Sequence, residues 1–164
     1  MANGGLRRQI GRIGGGALLA LALAATPVRA ATLYEQLGGR DGIAAISDAL
    51  IDRVADDPVL GRSFRDTKRR RIKDKLTLQL CELAGGPCRY DGDSMREVHA
   101  GHHITQAEFY GLVTVLRQVL RERHVPLAAR NQLLRLLAPM KRDVVEAPGA
   151  APPPHPEQAR AAEP

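Results

Sequence analysis

The stretch Gly85-Gly86-Pro87-Cys88-Arg89-Tyr90-Asp91-Gly92-Asp93-Ser94-Met95-Arg96-Glu97-Val98-His99-Ala100-Gly101-His102-His103-Ile104-Thr105 separates two segments of helical periodicity. Gly85-Gly86-Pro87 stops the segment before it, because glycine accepts the left-handed backbone that ends a helix and proline cannot continue one. Asp91-Gly92 marks a loop. A turn of helix is expected around Met95 to Ala100, closed by Gly101. Thr105 then caps a long helix from Gln106 to Arg123, since its side-chain oxygen can accept from an unpaired N–H of the first turn.

The same reading extends outward. Upstream, a helix from Lys68 to Leu83 opens with positive charge and carries Ile72, Leu76, Leu80 and Leu83 at spacings of three and four. Before Phe64, a short helix from Thr32 to Leu37 ends at Gly38-Gly39. Asp41 is expected to cap a second helix with Ile43, Ile46, Leu50, Ile51 and Val54 along one side, and Asp57-Pro58 ends it. Downstream, His124-Val125-Pro126 breaks the chain before a final helix from Ala128 to Val145. No run alternates as a half-buried strand does, so the fold class is all-α. With 44% hydrophobic residues, 3% aromatic and no Trp, the core is built from Leu, Val, Ile and Ala, which favours packed helices.

The two ends differ from this middle. Arg7, Arg8 and Arg12 precede an apolar run from Ala17 to Ala25, and Val28-Arg29-Ala30 has the small residues of an export cleavage site. Residues 1–30 are therefore expected to be a signal peptide or, if uncut, an inner-membrane anchor. The mature chain would begin at Ala31 in the periplasm. Residues 147–164 are rich in Ala and Pro, with Pro152-Pro153-Pro154, and are expected to be disordered. The folded domain is then 31–146.

The formal charge of +6 is spread over the whole chain, whereas residues 31–146 hold 19 basic and 16 acidic residues, a net of +3. The bulk-charge argument for nucleic acid largely disappears. Lys68, Arg69, Arg70, Arg71 and Lys73 form the densest basic run, read as a solvated helix face with no stacking aromatics beside it. Cys81 and Cys88 bracket the Gly-Gly-Pro turn. They either pair in an oxidising compartment or remain one buried and one loop thiol.

Leu33-Tyr34-Glu35-Gln36-Leu37-Gly38-Gly39, Asp57-Pro58, Phe64, Gly85-Gly86-Pro87, Tyr90-Asp91-Gly92, Met95, His99, Ile104 and Phe109, in that order and at those separations, resemble a truncated haemoglobin of the first group. The resemblance covers Leu33 to about Val144. It implies a truncated globin fold, a two-over-two helical sandwich around haem b, with His99 as the proximal iron ligand. Residue chemistry agrees, because a neutral imidazole is a standard axial donor to haem iron. His99 lies four residues after Met95, so both can face one cavity. His102 and His103 sit at spacings from His99 that also allow a helical metal-binding face, although Gly101 is expected to scatter the three rings.

By the same register Phe64 packs on the haem face, and Leu80, Met95, Val98 and Phe109 are pocket walls. The family's distal tyrosine and glutamine positions fall on Ile51 and Leu76, with Ile72 at another, so the ligand side is apolar and lacks donors. Lys75 falls where some relatives carry a residue that binds iron. Its neutral amine is the candidate distal ligand, against a reading in which it reaches solvent or a haem propionate.

Three functions follow as expectations. The first is reversible binding of oxygen, nitric oxide or carbon monoxide, for oxygen transport or nitric oxide detoxification. A nitric oxide dioxygenase side activity would need a reductase partner. The second is electron transfer by six-coordinate haem through His99 and Lys75. The third is a helical metal-binding or partner-binding module without haem. No nucleic-acid partner is expected, and a membrane only if the leader is uncut.

Overall fold

The computed structural model describes residue 1, residues 29–64 and residues 67–146. Residues 2–28 of the expected signal peptide and the expected disordered tail lie outside the described residues. Among the described residues seven helices follow in order: α1 (Leu33–Gln36), α2 (Gly39–Asp56), α3 (Arg69–Leu83), α4 (Met95–His99), α5 (Gln106–Glu122), α6 (Leu127–Leu137) and α7 (Lys141–Val144). Two 3-10 turns, Leu60–Phe64 and Ala138–Met140, join α2 to α3 and α6 to α7. The described residues contain no strand.

Local chemistry accounts for most boundaries. Thr32, Ser94 and Thr105 each cap a helix, and the glutamate three residues on returns the bond to the capping residue's own N–H. At the other end of α2, the Asp57 carboxylate accepts from the N–H of Val59 and Leu60 at 2.8 and 2.9 Å, which turns the chain into the 3-10 segment.

Two boundaries differ from the sequence expectation. Asp41 does not cap α2. The helix starts at Gly39 because Gly38 takes φ +87° and its carbonyl already accepts from Gly42 N–H at 3.1 Å. Asp41 instead sits in the first turn, where its charge favours the helix dipole. The single helix from Ala128 to Val145 is also broken, into α6, the turn Ala138–Met140 and α7. Pro139 lacks an N–H and its ring crowds the preceding turn, so the chain tightens there into a 3-10 turn before α7.

α2 packs on α3 and α5, α1 on α2 and α6, and α4 on α7. The core between them holds Leu33, Ile43, Ile46, Leu80, Leu116, Leu120 and Leu133, each no more than 5% exposed. Leu83, expected inward, is only partly buried. Between α2 and α3 runs a second seam. Asp48, Asp52 and Asp56 recur every fourth residue on α2. Lys73 lies 2.7 Å from Asp52 and 3.9 Å from Asp48, while Arg69 lies 2.8 Å from Asp56. Arg70 pairs with Asp74 within α3 at 3.4 Å. Most of the basic run is thus matched by acids of the same chain.

Cys81 and Cys88 form a disulfide, with Cα atoms 5.7 Å apart. It ties the last turn of α3 to the loop leading to α4. Gly86 lies between them under the Tyr34 ring. A Cβ there would come within 2.5 Å of that ring and 2.7 Å of the Cys81 sulfur, so only glycine fits. The Tyr34 N–H donates to the Ala84 carbonyl at 3.1 Å, fastening α1 to the same corner.

Candidate functional site

The site gathers around α4, a five-residue helix fixed at its start by Ser94 and Glu97. His99 ends it, partly buried. Its Nδ1 lies 2.7 Å from the Met95 carbonyl. A carbonyl oxygen only accepts, so Nδ1 carries the proton and Nε2 is left with its lone pair. Burial lowers the His99 pKa below its ordinary value, against a smaller raising effect of the Met95 bond, which favours the neutral ring. Among the described residues Nε2 has no hydrogen-bond partner. A histidine oriented through one nitrogen and open at the other is the arrangement metal-ligating imidazoles use.

His102 and His103 do not join it. Gly101 takes φ +77° and His103 φ +50°, so the chain turns sharply after α4. His103 is exposed and lies 2.9 Å from Glu146, while His102 is partly buried. Among the described residues no three His, Cys, Asp or Glu side chains are placed to hold a metal ion, so the helical metal face is not assembled.

Ile72, Leu76, Met95, Phe64 and Phe109 are all partly buried, with Phe64 and Leu76 against the hydrophobic core. Leu80, at 1% exposure, is enclosed in the core with Leu33, Ile43 and their neighbours. Ile51, at 3%, is likewise covered, although it lies outside that cluster. Val98 is 40% exposed. The Lys75 Nζ lies 2.7 Å from Asp91, and this bond holds the Asp91 carboxyl below the usual range.

Three participants had no local signal in the sequence. The Gln79 side-chain amide lies 3.3 Å from the Met95 sulfur and 3.8 Å from that of Met140, linking α3, α4 and the second 3-10 turn. Arg62 and Glu146 both grip the segment after His99. Neither was singled out, because their partners lie about 40 residues away in sequence.

The donor set suits a haem: one oriented neutral imidazole, one helical turn after the thioether of Met95, in a unit whose Phe64, Ile72, Leu76 and Phe109 are only partly buried. The model of the bacterial-like globin family matches residues 32–146, the whole helical unit. The chain belongs to the bacterial-like globin family. Group 1 truncated haemoglobins are its relatives. That of Mycolicibacterium paratuberculosis is 28% identical over 70% of this chain and 84% of its own. That of Tetrahymena pyriformis is 27% identical over 70% of this chain and 94% of its own. The crystal structure of the Tetrahymena pyriformis protein in the Fe(III) form superposes with a TM-score of 0.67, covering 71% of this chain and all of that one at 26% identity. The haemoglobin of Chloroflexus aurantiacus gives 0.63, over 72% of this chain and 100% of its own at 27% identity. The helical unit is therefore a truncated globin with the two-over-two arrangement, and as a member of this family it is a haem-binding, gas-binding globin.

Proposed function

We propose that this globin binds a diatomic gas at haem b held by Nε2 of His99, on a ligand side bounded by Ile72 and Leu76. The observation that carries the reading is the 2.7 Å bond from His99 Nδ1 to the Met95 carbonyl, which fixes the tautomer and leaves the other nitrogen to donate. Haem held by His99 would supply an iron able to take up oxygen, nitric oxide or carbon monoxide. Burial of the imidazole favours its neutral form, so ligation needs little or no proton release at neutral pH.

Ile72 and Leu76 carry no donor, so nothing on them holds a polar gas by hydrogen bonding. This favours binding over nitric oxide turnover as the activity. Electron transfer through His99 and Lys75 requires the 2.7 Å pair with Asp91 to break, which weighs against that reading. The Cys81–Cys88 disulfide supports export to an oxidising compartment after removal of residues 1–30. N-terminal sequencing of the protein recovered from the periplasm tests this, and a chain found only in the cytoplasm with Met1 intact would refute it.

The deciding experiment is the absorption spectrum of the protein with haemin, ferric, then ferrous, then under carbon monoxide, beside His99→Ala. A Soret band that shifts with carbon monoxide and is lost or much weakened in H99A is expected. Stoichiometric haem binding that H99A leaves unchanged would sink the assignment of His99.

A further inference from the structure

Of the six residues that carry the chain from His99 to α5, Gly101, His102, His103 and Ile104 are each held from outside. Arg62, in the turn Leu60–Phe64, donates from Nη1 to the His102 carbonyl at 3.0 Å and from Nη2 to the His103 carbonyl at 2.8 Å. Its Nε and Nη2 also bond both oxygens of Glu108, the latter at 2.8 Å. Glu108 in turn accepts from the N–H and hydroxyl of Thr105, the cap of α5. From the other side, Glu146 takes the Gly101 N–H at 2.6 Å and lies 2.9 Å from His103 Nδ1, while its own N–H donates to the Ile104 carbonyl at 3.1 Å.

Residues 101–104 thus each have a partner on a distant part of the chain. The held conformation is a costly one. His103 stands at φ +50°, a left-handed backbone that a non-glycine residue adopts only when its surroundings impose it. Such strain clusters where geometry matters to function. The strained residue is gripped at its carbonyl by Arg62 and at its ring by Glu146. Arg62 is also two residues from Phe64, so one guanidinium joins the segment bearing Phe64 to the exit of the helix bearing His99.

We propose that Arg62 is a positioning residue for the axial histidine. By pinning the His102 and His103 carbonyls, with Glu146 bracing the opposite side, it fixes the pitch of α4 and so the direction in which His99 Nε2 points. This rests on the reading of His99 as the iron ligand. Arg62 bonds the backbone after His99 and not His99 itself, so its action on the imidazole runs through that backbone. A guanidinium suits the task because its planar fork serves a carboxylate and two carbonyls together, whereas lysine offers one point of donation.

The test is the iron–histidine stretching band of the ferrous, haem-loaded full chain by resonance Raman, with carbon monoxide rebinding after photolysis. Arg62→Met, Arg62→Lys and His99→Ala are compared with the parent. The expected result is a band that is shifted or broadened in R62M, a rebinding rate altered on the order of fivefold, and partial recovery of both in R62K. A band and rate in R62M equal to the parent, with haem bound and the band lost in H99A, overturns the positioning role and leaves His99 as the ligand. A parent band that survives in H99A overturns the His99 assignment itself. If R62M does not fold, R62K with Glu146→Gln carries the test: each loses part of the brace, and an unshifted band in both overturns the proposal.

Discussion

Reducing the Cys81–Cys88 bond should lower the thermal midpoint by about 10 °C. The bond spans a sequence separation of 7. The chain-entropy relation for a closed loop of that length gives about 2.4 kcal/mol at 25 °C. A folded unit of about 115 residues has an unfolding entropy near 0.24 kcal/mol/K, so each kcal/mol moves the midpoint by about 4 °C. Cys81 is fully buried, so the bond must be reduced in mild denaturant and the protein refolded before measurement. Both samples should be held in the ferrous carbon monoxide form, which keeps the iron state equal. Midpoints are then read by circular dichroism, with thiols counted by mass spectrometry. Midpoints within about 2 °C of each other, when the reduced sample shows two free thiols, would refute the argument that this short loop constrains the unfolded chain.

Glu108 supplies a pH prediction. Its bond to Arg62, the largest cause, holds its pKa at about 2 against an ordinary 4.5, and its side chain is 11% exposed. A carboxyl depressed on folding adds stability above its ordinary pKa and loses it as pH falls through the folded value. The contribution should fade between about pH 4.5 and 2, by about 1–2 kcal/mol once the half-exposed guanidinium is allowed for. Acid titration of unfolding should show that loss, and Glu108→Gln should flatten the curve over the same window. Gly86→Ala, forced against the Tyr34 ring and the Cys81 sulfur, should cost about 1–3 kcal/mol in urea unfolding, and an unchanged midpoint would contradict the close approach. Asp91→Asn should weaken the hold on Lys75 and raise the low-spin, six-coordinate fraction in the ferrous spectrum. An identical spectrum would mean that Lys75 does not reach the axial position even when released.

Much of the fold could be read because its signals are local. Ser94, Thr105 and the glutamates three residues after them sit within one helical turn, and Gly38 and Gly85 mark ends that only a left-handed residue makes. His99 stood out through its spacing from Met95 and the flanking motifs. The errors have equally local causes. Asp41 is a good capping residue standing two positions inside a helix that glycine had already begun. Pro139 was visible, but the apolar spacing of α6 runs past it and disguised the break. Arg62, Gln79 and Glu146 were missed for another reason. Each meets its partners across tens of residues, and no periodicity encodes which arginine or glutamate will face which carbonyl.

The contact of α4 with α7 sets an order on biogenesis. The helix that carries His99 is short and is steadied by the final stretch of the helical unit, through Arg96 to Asp143 at 2.8 Å and through Glu146. A ribosome delivers that stretch after everything else in the helical unit. Until it emerges, the first three helices can already begin to pack, while the imidazole lacks its backing. Loading of the prosthetic group is therefore expected only once the helical unit is complete, and a nascent chain stalled before α7 should bind it poorly.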